Sequence, residues 1–88
     1  MITVTERAKE ELKKVLAAAE AEQDEGLRLL PTPDGVFELA LDTEMSGDLV
    51  IEYQGHKLLL VGLEYLRLLD GKTLDCSETQ VGAVLFVS

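Results

Sequence analysis

The sequence predicts an α+β fold: a small β-rich unit with one amphipathic N-terminal helix and one short internal helix. Three observations carry this. A one-faced apolar stripe runs through the first quarter of the chain. A hairpin signal sits in the middle, at Asp48–Val61. Directly after that hairpin the apolar spacing changes from alternation to a helical rhythm over Leu63–Leu69, closed by Gly71.

The 88 residues suffice for one small domain, 1–88, which buries roughly 60–65% of its unfolded surface. An apolar content of 47% against 28% charged residues is a globular balance rather than a disordered one. The formal charge of −9 argues against nucleic-acid phosphates and anionic membranes as partners, because neither attraction nor counterion release would favour the contact. No long apolar run and no basic-then-apolar leader is present, so a cytoplasmic, membrane-free protein is expected. A single cysteine rules out an intramolecular disulfide and an all-cysteine metal site within one chain.

Taken in order, Thr3-Val4-Thr5-Glu6 fits a capping box with Thr3 as N-cap and Thr5 as its competitor. The helix that follows runs to about Glu22, with Ala8, Leu12, Val15, Leu16 and Ala19 as its buried stripe and a Glu10–Lys14 pair on its wet side. Gln23–Gly26 ends it, and Leu27–Leu30 begins a strand. Pro31-Thr32-Pro33-Asp34-Gly35 forms a turn: proline presets φ, aspartate bonds the backbone ahead, and glycine takes the left-handed position. Val36–Leu41 returns as a second strand, and Asp42–Gly47 is a polar loop.

In the central hairpin, a two-residue Gln54-Gly55 turn sets the register. Tyr53 faces His56, Glu52 faces Lys57, Ile51 faces Leu58, Val50 faces Leu59 and Leu49 faces Leu60. Thr73-Leu74-Asp75 resumes an extended chain. Ser77-Glu78-Thr79-Gln80 fits a second capping box and predicts a helical turn, and Val81–Val87 is a nearly unbroken apolar strand. That strand and Leu58–Val61 are too apolar for a sheet with one wet face. Either both faces are covered or a second copy meets them, so a homodimer is expected.

The sites with chemical potential are few. Asp42, Glu44, Ser46, Gly47 and Asp48 imitate a calcium loop, but the twelfth position is Tyr53 rather than a bidentate glutamate, and strands flank the loop where helices are needed. Cys76 and His56 are the metal-ligand candidates. The competing reading makes Cys76 a small hydrophobe in a strand and His56 an exposed turn residue. One histidine and no nucleophile motif leave no catalytic set, so no enzyme activity and no catalytic residue is expected. The seven glycines are scattered as turn punctuation rather than gathered into a phosphate loop.

The layout resembles the HesB-like A-type iron–sulfur carrier domain over nearly its whole length. The shared residues are Ile2–Ala8 as the helix start, Gly26-Leu27-Arg28-Leu29 as the first strand, and the hairpin, short helix and Leu69-Asp70-Gly71-Lys72-Thr73-Leu74-Asp75 block at ungapped spacing. The resemblance implies a compact fold of mixed sheets. It also implies three cysteine ligands for iron or an iron–sulfur cluster, usually between subunits: one after the first strand and a Cys-x-Cys pair near the C-terminus. This chain departs at each position. Pro31–Gly35 stands where the family has Gly-Cys-Ser-Gly, Ser88 comes before a Cys-x-Cys would appear, and Cys76 falls in the signature strand where the family has an aromatic or apolar residue. A HesB-like scaffold with a degenerate site follows, without cofactor, serving as a binding or structural module with an unidentified protein partner. The alternative is a residual iron or iron–sulfur role in which Cys76 acts across a dimer or with a partner's ligands.

Overall fold

A computed structural model describes residues 1–34 and 36–88; the left-handed conformation expected of Gly35 lies outside the described residues. Strand β1 (Thr3–Val4) leads into helix α1 (Glu6–Ala18). Strands β2 (Glu25–Pro31), β3 (Phe37–Thr43), β4 (Leu49–Tyr53) and β5 (His56–Val61) follow. A 3₁₀ turn at Leu63–Tyr65 runs into helix α2 (Leu66–Leu69), and β6 (Thr73–Thr79) and β7 (Gly82–Val87) close the chain. Two sheets result, one ordered β1-β6-β7 and the other β3-β2-β5-β4. Each mixes strand directions: β1–β6 and β2–β5 are parallel and the rest antiparallel.

Helix α1 contacts both sheets and joins them into one core. Ala8, Leu12 and Leu16 are its buried face, whereas Ala19, expected in the stripe, is exposed. The cap is Thr5 and not Thr3: the Thr5 hydroxyl accepts from Ala8 N at 3.2 Å. Thr3 is drawn into β1 instead, its N–H donating to Lys72 O at 2.9 Å. The helix also stops four residues earlier than expected. Glu20 N donates to Ala17 O and Ala21 N to Leu16 O, both at 3.1 Å, the paired bonds of a Schellman stop. Glu20, with φ 55°, takes the left-handed position that glycine usually fills. On the wet side Lys9 pairs with Glu6 at 3.6 Å, and this pair takes the place of the expected Glu10–Lys14.

The central hairpin forms, but its register holds only near the turn. Tyr53 pairs with His56 and Glu52 with Lys57; beyond them Ile51, Val50 and Leu49 pair with Leu59, Leu60 and Val61. Leu58 is the extra residue of a β-bulge. The bulge explains why Leu58 and Leu59 both enter the core cluster although neighbours on a regular strand point to opposite faces. All four of Leu58–Val61 are buried, so this strand is covered on both sides, as a central strand with a parallel neighbour must be. Lys57 turns its ammonium not to Glu52 but to Glu44, 3.3 Å away.

Two boundaries shift for tertiary reasons. β2 extends to Glu25–Pro31 and β3 to Phe37–Thr43, because the two pair without interruption from Glu25↔Thr43 to Pro31↔Phe37. Ser77–Thr79 is strand, not a helical turn: Ser77 pairs with Val84 and Thr79 with Gly82, leaving Gln80-Val81 as a hairpin turn. Thr79 Oγ1 donates to Gly82 O at 2.8 Å and accepts from Val81 N at 3.2 Å, so it serves the turn rather than a helix. Strand β7 is an edge with an exposed apolar side: Val84 and Phe86 are 41% and 38% exposed, while Leu85 and Val87 pack on the core. Among the described residues no helix is long and apolar enough to cross a membrane.

Candidate functional site

Four places can bear on function: the turn after β2, the two candidate ligands, and the loop that imitates a calcium site. The turn comes first, because the sequence resemblance set it against the family's cysteine loop. Together with the last residues of β7 it borders a cleft of about 500 Å³. Pro31, Pro33, Phe37 and Val87 line one part of it and Leu69 and Lys72 another, with Ser88 also at its wall. The fold thus brings the turn and the C-terminal strand end together, although β3 and β7 belong to different sheets and Phe37 and Ser88 lie 51 positions apart in the chain. The polar groups of the turn are turned on each other. Thr32 Oγ1 donates to Asp34 Oδ1 at 2.5 Å, and Thr32 N donates to Val36 O at 2.9 Å. The Thr32 hydroxyl, and then the local backbone, hold the Asp34 carboxyl below its ordinary pKa. This is a pair of hard oxygen donors on either side of Pro33.

Cys76 lies in β6 opposite Leu85 and is 8% exposed within the core cluster, as the hydrophobe reading expects. His56 is half-buried rather than an exposed turn residue. It lines a second cleft, of about 360 Å³, between the hairpin turn and α1. The two candidates belong to different sheets, and among the described residues no group of three or more His, Cys, Asp and Glu converges on one point.

The Asp42–Asp48 loop has its cation already. Arg28, the one charge within the apolar run Leu27–Leu30, is 6% exposed. It stands in register with Leu60 on the sheet face away from Leu27 and Leu59. Its guanidinium takes Asp48 bidentately, Nη1 to Oδ1 at 2.9 Å and Nη2 to Oδ2 at 2.7 Å, while Nε reaches Asp42 Oδ2 at 2.7 Å. Nη2 also donates to Thr43 O at 3.1 Å, and Met45 N donates to Asp48 Oδ2 at 2.7 Å. Hydrogen bonding to Arg28 is the leading reason that both carboxyls lie below their ordinary pKa; hydrogen bonding to Asp48 is the leading reason that the guanidinium is raised above its own. The two carboxylates that looked most like calcium ligands are therefore spent on arginine. This network was missed at the level of sequence; its signal was the arginine itself, between Gly26-Leu27 and Leu29-Leu30.

Order and pairing of the elements define a HesB-like α+β fold. The chain is similar in structure to Escherichia coli SufA, a protein involved in the biosynthesis of iron–sulfur clusters, at a TM-score of 0.68 and 24% identity, over 99% of this chain and 83% of that one. It is similar to IscA, solved with a [2Fe-2S] cluster, at a TM-score of 0.68 and 20% identity, over 100% and 84% of the two chains. A protein from Aquifex aeolicus, solved in solution, matches at a TM-score of 0.68 and 29% identity, over 99% and 89%. No family model matches the chain, and no curated protein matches it.

Proposed function

We propose that residues 1–88 are one HesB-like domain that has shed the cluster's sulfur donors and works as a non-enzymatic binding or interaction module. The observation that carries this reading is the donor set at the turn after β2. Iron–sulfur clusters are held by soft thiolates, and the turn offers a threonine hydroxyl and an aspartate already bonded to each other. The thiol of Cys76 is in the core, so a ligand role would require β6 or β7 to open. The donors in residues 1–34 and 36–88 do not fit a cluster held by one copy of the chain.

Interaction is supported by the exposed apolar side chains around the larger cleft and β7. Val36 is 59% exposed, Leu68 60% and Phe86 38%, in a chain that is otherwise strongly acidic. Residues 81–87 carry no charge, so β7 is an edge without the lysines or prolines that ordinarily discourage strand pairing. A protein partner, a second copy included, is the class of ligand this edge suits.

Anaerobic reconstitution with iron and sulfide, followed by absorption spectroscopy and metal analysis, tests the reading. A colourless protein without bound iron is expected. Stoichiometric cluster binding that disappears in Cys76→Ala would instead establish the alternative, a residual iron–sulfur role across a dimer.

A further inference from the structure

The cleft beside His56 carries an inference that is independent of the turn after β2. Its floor is apolar, formed by Leu16 and Leu58, 5% and 2% exposed, with half-buried Ala21 and exposed Ala17 beside them. Its rim is polar: Lys13 and Glu20 from the α1 side, Tyr53, Gln54 and His56 from the hairpin. An apolar floor under a few convergent polar groups, at about 360 Å³, is the usual make-up of a small-molecule site.

A second observation sets this cleft apart. Among the described residues only two non-glycine positions have positive φ, Glu20 at 55° and Gln54 at 54°, and both line it. They come from unrelated elements, the stop of α1 and the first position of the hairpin turn. Glycine would hold either conformation at lower cost, and left-handed backbone at non-glycine residues gathers where a side chain is needed for function.

The charges say what fits. The Lys13 ammonium bonds the Gln54 side-chain carbonyl, a neutral acceptor, so its charge at the rim is not offset by that bond. His56 stands on the same rim, and Lys9 lies 6.0 Å from the centroid of the Tyr53 ring, fixing the neighbouring wall. Glu20 follows Lys13 by seven residues, just past the end of α1, and adds a negative charge to the same rim. We propose that the cleft between α1 and the β4–β5 turn binds a small organic monoanion with an aliphatic body. Its carboxylate meets Lys13 and His56, its body covers Leu16, Ala17 and Leu58, and Glu20 rejects a second negative charge at the tail.

Amide and imidazole NMR shifts of the full chain titrated with hexanoate, adipate and hexylamine test this. Hexanoate at millimolar concentration should produce saturable shifts confined to residues 16–21 and 53–58 and to the His56 ring. Lys13→Gln, an exposed substitution that leaves the core untouched, should weaken hexanoate about tenfold through loss of one charge-assisted bond. Adipate should bind more weakly than hexanoate and gain in Glu20→Gln. The proposal falls if hexanoate gives no saturable shift, if Lys13→Gln binds as well as the natural chain, or if hexylamine moves the same resonances. Adipate binding as tightly as hexanoate would overturn the selection for a monoanion.

Discussion

Thr5 and Asp75 are 70 residues apart in the chain and share one hydrogen bond: Thr5 Oγ1 donates to Asp75 Oδ1 at 2.8 Å. The same hydroxyl accepts from Ala8 N, so a single oxygen caps α1 and ties it to β6. Asp75 Oδ1 also accepts from Cys76 N at 2.8 Å. The two stretches that carried the family resemblance, Ile2–Ala8 and Leu69–Asp75, thus meet in space, with Thr3 and Val4 paired to Thr73 and Leu74 just before the contact. Asp70 of the same block pairs with the N-terminal ammonium. The Leu-Asp-Gly block serves the scaffold here, since each aspartate fastens the start of the chain.

Removing this bond should weaken the fold measurably. Thr5→Ala is expected to cost about 1–2 kcal/mol, from the lost cap and the lost bond together, and Thr5→Ser should recover most of it. Urea unfolding at neutral pH reads both. Asp75 also gives a sign for pH. Its carboxyl lies below its ordinary pKa, first through Cys76 N and then through Thr5. Its contribution is therefore complete above the unfolded value and fades as pH falls through the folded one. In Thr5→Ala the folded value moves back toward the unfolded one, so the acid-side loss from Asp75 should be smaller, and complete at a higher pH, than in the natural chain.

Arg28 should be among the most sensitive positions in the molecule. In Arg28→Met the Asp48 carboxylate, whose side chain is 2% exposed, loses its counter-ion but stays buried. A loss of about 3 kcal/mol is expected, and the double variant Arg28→Met/Asp48→Leu should recover a large part of it, because the stranded charge is then gone. Asp42 and Asp48 are both depressed by Arg28, so their stabilisation is full above about pH 4 and drains as pH drops through their folded values. Unfolding midpoints measured down through the acid range should fall less steeply in Arg28→Met than in the natural chain.

Residues better suited to left-handed backbone at Glu20 and Gln54 should stabilise the protein. Glu20→Gly keeps the Schellman stop and removes the side-chain clash, for a gain of about 1 kcal/mol; Gln54→Asn should gain a few tenths in a turn whose second residue, Gly55, has φ 79°. Thermal unfolding checks this. If the strain is kept for the cleft, the more stable Glu20→Gly variant should at the same time lose the discrimination between adipate and hexanoate.

Cys76 should behave as a core residue. A thiol reagent should label it slowly in buffer and at once in denaturant, and Cys76→Ser should destabilise more than Cys76→Ala, since a hydroxyl would be placed among apolar neighbours. Labelling kinetics followed by mass spectrometry distinguish this from an accessible ligand.

The hairpin shows where local reading ends. The turn, the Tyr53/His56 and Glu52/Lys57 pairs and the change to a helical rhythm after Val61 are all local signals, and all are present in the fold. The bulge at Leu58 is not local. Leu58 to Val61 are all apolar, so either register buries a hydrophobe at every step and the alternation that normally reports register is silent. The helix stop follows the same logic: Ala17 to Ala19 favour continuation, and only the seat of Ala21 against the core ends α1.

By itself the sequence determined the repeating features: which stripe of α1 is apolar, where the chain must turn, that seventeen acids outnumber eight bases, and that the turn after the first strand contains no sulfur. These depend on neighbours within a few residues, and a periodic pattern reports them directly. Tertiary structure alone decided that Thr5 rather than Thr3 caps the helix, that Arg28 claims Asp42 and Asp48, and that Lys13, Glu20, Gln54 and His56 border one cleft. Each of those outcomes depends on residues from separate elements, such as Asp75 for Thr5 or the hairpin for α1, and only the folded backbone brings them together.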